Sequence, residues 1–152
     1  MHEANEKNGR LVRLSETGRF WKVAFEELSP AEQVFRSVWE LEAEVNNGGF
    51  DQYFFNSPGG ASTAAVQALQ RIGARSAAEI VHRAISQFPG GQPPRDPKQR
   101  RSILEAIGVT HAELLEQLDT EFLRYPDDLT ELLHSYVVRH RCEIAGSAEV
   151  GI

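Results

Sequence analysis

Between Glu42 and Asn56 the chain reads E-A-E-V-N-N-G-G-F-D-Q-Y-F-F-N, and no other stretch gathers so many specialised residue types. Asn46, Asn47, Gln52 and Asn56 carry side-chain amides, Asp51 a carboxylate, and Gly48 and Gly49 open left-handed backbone to the chain. Those groups suit a small polar ligand held against amides and exposed backbone N–H. They equally suit a helix-turn-helix corner. In that arrangement Phe50, Tyr53 and Phe54, three and four apart, anchor into the core, and the amides satisfy the backbone of the turn. The corner is the simpler reading. No nucleophile-base pair accompanies it, so no catalytic residue is assigned.

Other chemistries are present only in outline. Glu40 and Glu44, and Asp127 and Glu131, are four apart and share helical faces, as paired acid-base carboxylates would; a solvated acidic ridge explains them more simply. Ser57 lies in N-S-P-G-G, which is not a nucleophile elbow, and the glycine pairs lack the strand and lysine of a phosphate loop. His2, His82, His111, His134 and His140 occur singly. His140 and Cys142 miss the four-residue spacing of a same-face ligand pair. Neither a metal site nor a cofactor is expected.

Charge is segregated along the chain, whose formal net charge is -6. Seven acids stand against Arg36 between Glu26 and Asp51. Seven bases stand against Glu79 and Asp96 between Arg71 and Arg101, and eight acids against Arg124 between Glu105 and Glu131. Such fields govern partner choice more than fold. Glu113, Glu116, Asp119, Glu121, Asp127, Asp128 and Glu131 form the candidate acidic surface for a protein partner with a basic face. Arg95, Lys98, Arg100 and Arg101 form a candidate anion-binding run, but the acidic balance disfavours direct nucleic-acid binding.

The elements that position these groups are helices. A chain of 152 residues can bury a real core in one domain. Ser29-Pro30-Ala31-Glu32 is a full capping box, and Val34, Phe35, Val38, Leu41 and Val45 then keep a helical period up to Gly48. Further periodic stretches follow: Ala61 to Ile72, Ala77 to Phe88, Asp96 to Ile107 (interrupted at Gly108), Thr110 to Phe122, and a last helix from about Asp127 to Gly146. Phe20 to Leu28 has the spacing of a short first helix. No segment alternates as a strand does, so an all-α single domain of seven or eight helices is expected. Residues 1-18 read as a loose segment with a short apolar tether, 19-146 as the helical domain, and 147-152 as a fraying tail. Cys142 is the lone cysteine and no apolar stretch is long enough to span a bilayer, so a reducing cytoplasm is the expected setting.

On E42-x-E44-x-N46-N47-G48-G49-F50-x-Q52-Y53-F54-x-N56-S57 and the Trp39-bearing helix before it, the chain resembles the DUF4375 (DMP19-like) family from about Trp21 to the last helix. The resemblance implies an all-helical fold and homodimerisation. One member of that family is a DNA mimic, in which clustered carboxylates imitate duplex phosphates and occupy a transcription regulator. The motif is not that acidic surface, so the resemblance speaks for the fold and for the junction at Asn46, Gly48, Gly49, Phe50, Gln52, Tyr53 and Asn56. The leading expectation is a non-enzymatic interaction domain with an acidic helical surface. Its sharpest form is a mimic that occupies a DNA-binding regulator. The alternative is a small-ligand or enzymatic domain centred on the Asn-Asn-Gly-Gly step.

Overall fold

The computed structural model describes residues 2–58 and 60–152, and every regular element among them is helical. Seven α-helices follow in order: α1 (His2–Thr17), α2 (Pro30–Asn56), α3 (Ala61–Ile72), α4 (Arg75–Ile85), α5 (Pro97–Thr110), α6 (Ala112–Leu123) and α7 (Leu129–Arg139). Short 3-10 turns lie at Phe25–Glu27, Pro89–Gly91, Arg141–Glu143 and Ala148–Val150. The expected all-α single domain is what the chain forms.

The long helix α2 is the axis, and its start is fixed locally. Ser29 Oγ accepts the Glu32 N–H, the Glu32 carboxylate accepts the Ser29 N–H, and Pro30 occupies the first turn, where its missing N–H costs nothing. Val34, Phe35, Val38, Leu41 and Val45 are all buried, and α3, α5, α6 and α7 pack on the helix along its length. Phe20 and Trp39 stack on Phe35 with ring centroids 4.4 and 5.5 Å away. Beyond the glycines, Phe50, Phe54, Phe88 and Phe122 form a second aromatic group. Burying each such ring stabilises the fold by roughly 1.5–3 kcal/mol.

Gly48 does not end the helix. Gly48 (φ -158°, ψ 21°) and Gly49 (φ 73°, ψ -172°) leave helical geometry, but the helix resumes at Phe50 and runs to Asn56. The expected corner is thus a kink between two arms of one helix. It redirects the second arm so that Phe50, Tyr53 and Phe54 are buried. Gly108 likewise fails to interrupt α5, which runs through to Thr110.

The chain ends also differ from expectation. Residues 2–17 are helical, with Leu11 and Leu14 buried, and α1 packs on α7, where Lys7 bonds Glu131 at 2.7 Å. The Phe20 to Leu28 stretch holds only the turn at Phe25–Glu27. Phe20 is fully buried while Trp21 is exposed, so the aromatic spacing marks one core anchor rather than a helical face. The last long helix stops at Arg139, short of the expected Gly146. The 147–152 segment is a turn whose Val150 is buried.

Candidate functional site

The kink is braced from three sides. Asp119 on α6 accepts the Phe50 N–H at 2.8 Å, and Gly49 lies so close to that carboxylate that a Cβ would overlap it. Glu44, before the kink, accepts from Gln52 and Asn56 after it, each at 3.0 Å. Asn46 donates to the Glu42 carbonyl and to the Tyr125 hydroxyl, which in turn donates to the Glu42 carboxylate. Burial raises the Glu42 pKa against the pull of that hydroxyl. Tyr125 holds φ 50°, a left-handed conformation uncommon outside glycine, and this places its ring beside Phe122 and its hydroxyl on α2. Asn47 and Asp51 are exposed. The amides of Asn46, Gln52 and Asn56 are therefore spent inside the protein, which weakens a ligand site built on them. Two concavities reach the junction at single residues: one of about 290 Å³ at Asn46 and one of about 270 Å³ at Tyr53.

The seven acids of the candidate surface do not act as one ridge. Glu121 pairs with Arg83, Glu131 with Lys7, and Asp128 caps α7 through the Glu131 N–H. Asp127 accepts the Ala77 N–H at 2.8 Å, and so caps α4, whose own N-cap, Ala74, has no side-chain acceptor. Replacing Asp127 with alanine should destabilise the fold by about 0.5–2 kcal/mol, as loss of a cap does; chemical denaturation would read it, and an unchanged midpoint would contradict the capping role. Glu113 and Glu116 remain exposed on α6, beside Asp119. Asp51, absent from the seven, lies near Asp119, whose carboxylate holds the N–H of the preceding residue, Phe50. Burial raises the Asp119 pKa, the Phe50 N–H opposes it, and the charges of Asp51 and Glu116 raise it further.

The basic run divides similarly. Arg100 is buried, donating to the carbonyls of Phe54, Pro94 and Arg95, so it ties α5 to the end of α2 and is not available to an anion. Arg101 lies over the Phe55 ring, 4.2 Å from its centroid. Arg95 and Lys98 are exposed. Among the described residues no three His, Cys, Asp or Glu side chains group to hold a metal ion, and no helix is long and apolar enough to cross a membrane.

The fold and site thus define an all-helical domain organised on a kinked central helix, with its motif residues bracing the kink. The chain belongs to the DMP19-like family, whose model, described as DMP19-like protein, matches residues 26–140. That stretch runs from the turn before α2 to the end of α7 and contains the whole junction. No curated protein and no solved structure matches the chain.

Proposed function

We propose that the protein is a non-enzymatic interaction domain whose acidic face, at the α2 kink and on α6, engages a basic protein surface. The carrying observation is that Asp119 on α6 accepts the Phe50 N–H, which brings the exposed Asp51 of α2 to the α6 face that carries exposed Glu116 and, one turn before it, Glu113. Their mutual repulsion is relieved by a cationic partner, and exposed carboxylates of this kind steer association. A DNA-binding protein, whose cationic face normally meets phosphates, is the sharpest form of that partner, and membership of the DMP19-like family supports it. Glu121, Asp127, Asp128 and Glu131, held by contacts within the fold, contribute field rather than direct contacts.

The test is capture of DNA-binding proteins on the immobilised chain at rising salt, with duplex DNA as competitor. The D51N/E113Q/E116Q variant should lose most of the capture. Equal capture by that variant at equal salt would reject the surface. Capture that duplex DNA fails to displace would reject mimicry while keeping the interaction.

A further inference from the structure

A cavity of about 270 Å³ opens between the first arm of α2, the start of α3 and the Phe25 turn. Phe25, Arg36, Ser37, Glu40, Tyr53 and Arg95 line it. Ser37 is 8% exposed and Tyr53 1%, and both bring hydroxyl-bearing side chains to the lining. Next to the cavity, though outside its lining, the Ser57 hydroxyl lies near that of Tyr53 and, among the described residues, is buried without a hydrogen bond of ordinary geometry. Buried hydroxyls are nearly always hydrogen-bonded in folded proteins, and a polar ligand in the cavity would complete that bonding through Tyr53.

The charges around the cavity carry the same message. Arg36 spends one amino group on the Phe20 carbonyl and lies over the Phe25 ring. Neither Arg36 nor Arg95 reaches a carboxylate within ion-pair distance among the described residues, and Glu40 reaches no cation. Burial raises the Glu40 pKa, Arg36 opposes this and Glu44 adds to it, as for a carboxylate short of donors. At the mouth Gly60 is the N-cap of α3 and has no side chain to cap the helix's first turn.

We propose that this cavity binds a small zwitterion of the α-amino acid class. Arg95 and the start of α3 take its carboxylate, and Glu40 takes its ammonium group. The hydroxyls of Ser37 and Tyr53, each able to donate or accept, complete the shell. A bare anion would meet Glu40, and a bare cation would meet two guanidinium groups. Drug-sized sites span roughly 300–1,000 Å³, so this smaller space sets a small metabolite as the upper limit. Tyr53 belongs to the junction motif and lies between Gln52 and Asn56, so the motif turns a face toward the ligand beside its spent amides.

The experiment is an NMR titration of the full chain with each free amino acid, and with acetate, inorganic phosphate and methylammonium as single-charge probes. At least one amino acid should shift the amides of Ser37, Glu40 and Ala61 saturably, and the single-charge probes should bind about tenfold or more weaker. Glu40→Gln and Arg95→Gln, both partly or fully exposed and so compatible with folding, should each weaken that binding by a similar factor. The proposal is overturned if no amino acid saturates the site, if phosphate or acetate binds as well as the best amino acid, or if both variants bind unchanged. Such a failure leaves the acidic-face test untouched, since Asp51, Glu113 and Glu116 do not line this cavity.

Discussion

Replacing Gly49 with alanine should destabilise the domain by about 3–5 kcal/mol, a sum of backbone strain and a displaced hydrogen bond. At φ 73° and ψ -172° the residue occupies a region open essentially to glycine alone. Its missing Cβ is also what allows the Asp119 carboxylate to reach the Phe50 N–H. Alanine would push that carboxylate away and leave the N–H of a buried residue without an acceptor. The double variant G49A/D119A separates the effects: it removes the overlap but keeps both the strain and the orphaned N–H, so it should not recover wild-type stability. Gly48→Ala should cost less, because at φ -158° it adds no left-handed strain, although its Cβ would press on Gln52 from Cβ to the amide. Urea unfolding gives the comparison. A Gly49→Ala variant within about 1 kcal/mol of wild type, the ordinary cost of a mild substitution, would show that the kink does not depend on glycine.

The kink also shows where sequence reasoning stops. Asn46-Asn47-Gly48-Gly49 signals a local break correctly, but whether the chain turns back or continues as a bent helix depends on Asp119, 69 residues beyond Phe50. The Ser29–Glu32 capping box and the apolar period of α2 were legible because their partners lie within one or two turns. α1 was not: its first half, H-E-A-N-E-K-N-G, carries no apolar stripe, and the buried part, Leu11 and Leu14, is too short a pattern to announce a helix that docks on α7. Phe20 to Leu28 failed in the opposite sense, since its aromatic spacing fits a helix that the fold does not make.

The acidic surface was legible as composition and not as geometry. Counting charges along Glu105 to Glu131 treats every carboxylate as free. Tertiary contacts instead hold Glu121 on Arg83, Asp127 on α4 and Glu131 on α1, while Asp51 enters from another helix. The arginines behave alike: Arg100 is a buried strut for three carbonyls, although in sequence it is indistinguishable from its neighbour Arg101. What remains for partners is the smaller set of groups that the fold itself does not consume.

Replacing Glu32 with alanine should cost about 2–4 kcal/mol, somewhat below the loss on breaking a fully buried ion pair. Glu32 is completely buried, whereas Arg19 is 43% exposed in its side chain, so water recovers much of the guanidinium's loss but none of the loss at the backbone. Its carboxylate accepts a forked hydrogen bond from the single Arg19 Nε–H, one from Arg19 Nη2 and one from the Ser29 N–H, with a longer one from the Ala145 N–H at 3.4 Å. It thereby clamps the start of α2 to the chain after α7. Burial alone would raise the Glu32 pKa, but the Arg19 and Ser29 hydrogen bonds, with the Arg19 charge and Ala145, outweigh it and hold the pKa below the ordinary carboxylate value. A depressed folded-state pKa means that the unfolded chain binds the proton first. The Glu32 contribution is therefore complete above the unfolded carboxylate pKa of roughly 4.3 and is lost as pH falls through the lower folded value. Glu32→Gln keeps the volume but presents an NH₂ group to donors, so it should be destabilised near neutral pH and should flatten the acid limb of the stability profile. Unfolding free energies measured from neutral pH down through that limb decide the matter: a Glu32→Gln profile parallel to wild type would show that this carboxylate is not a source of the acid sensitivity.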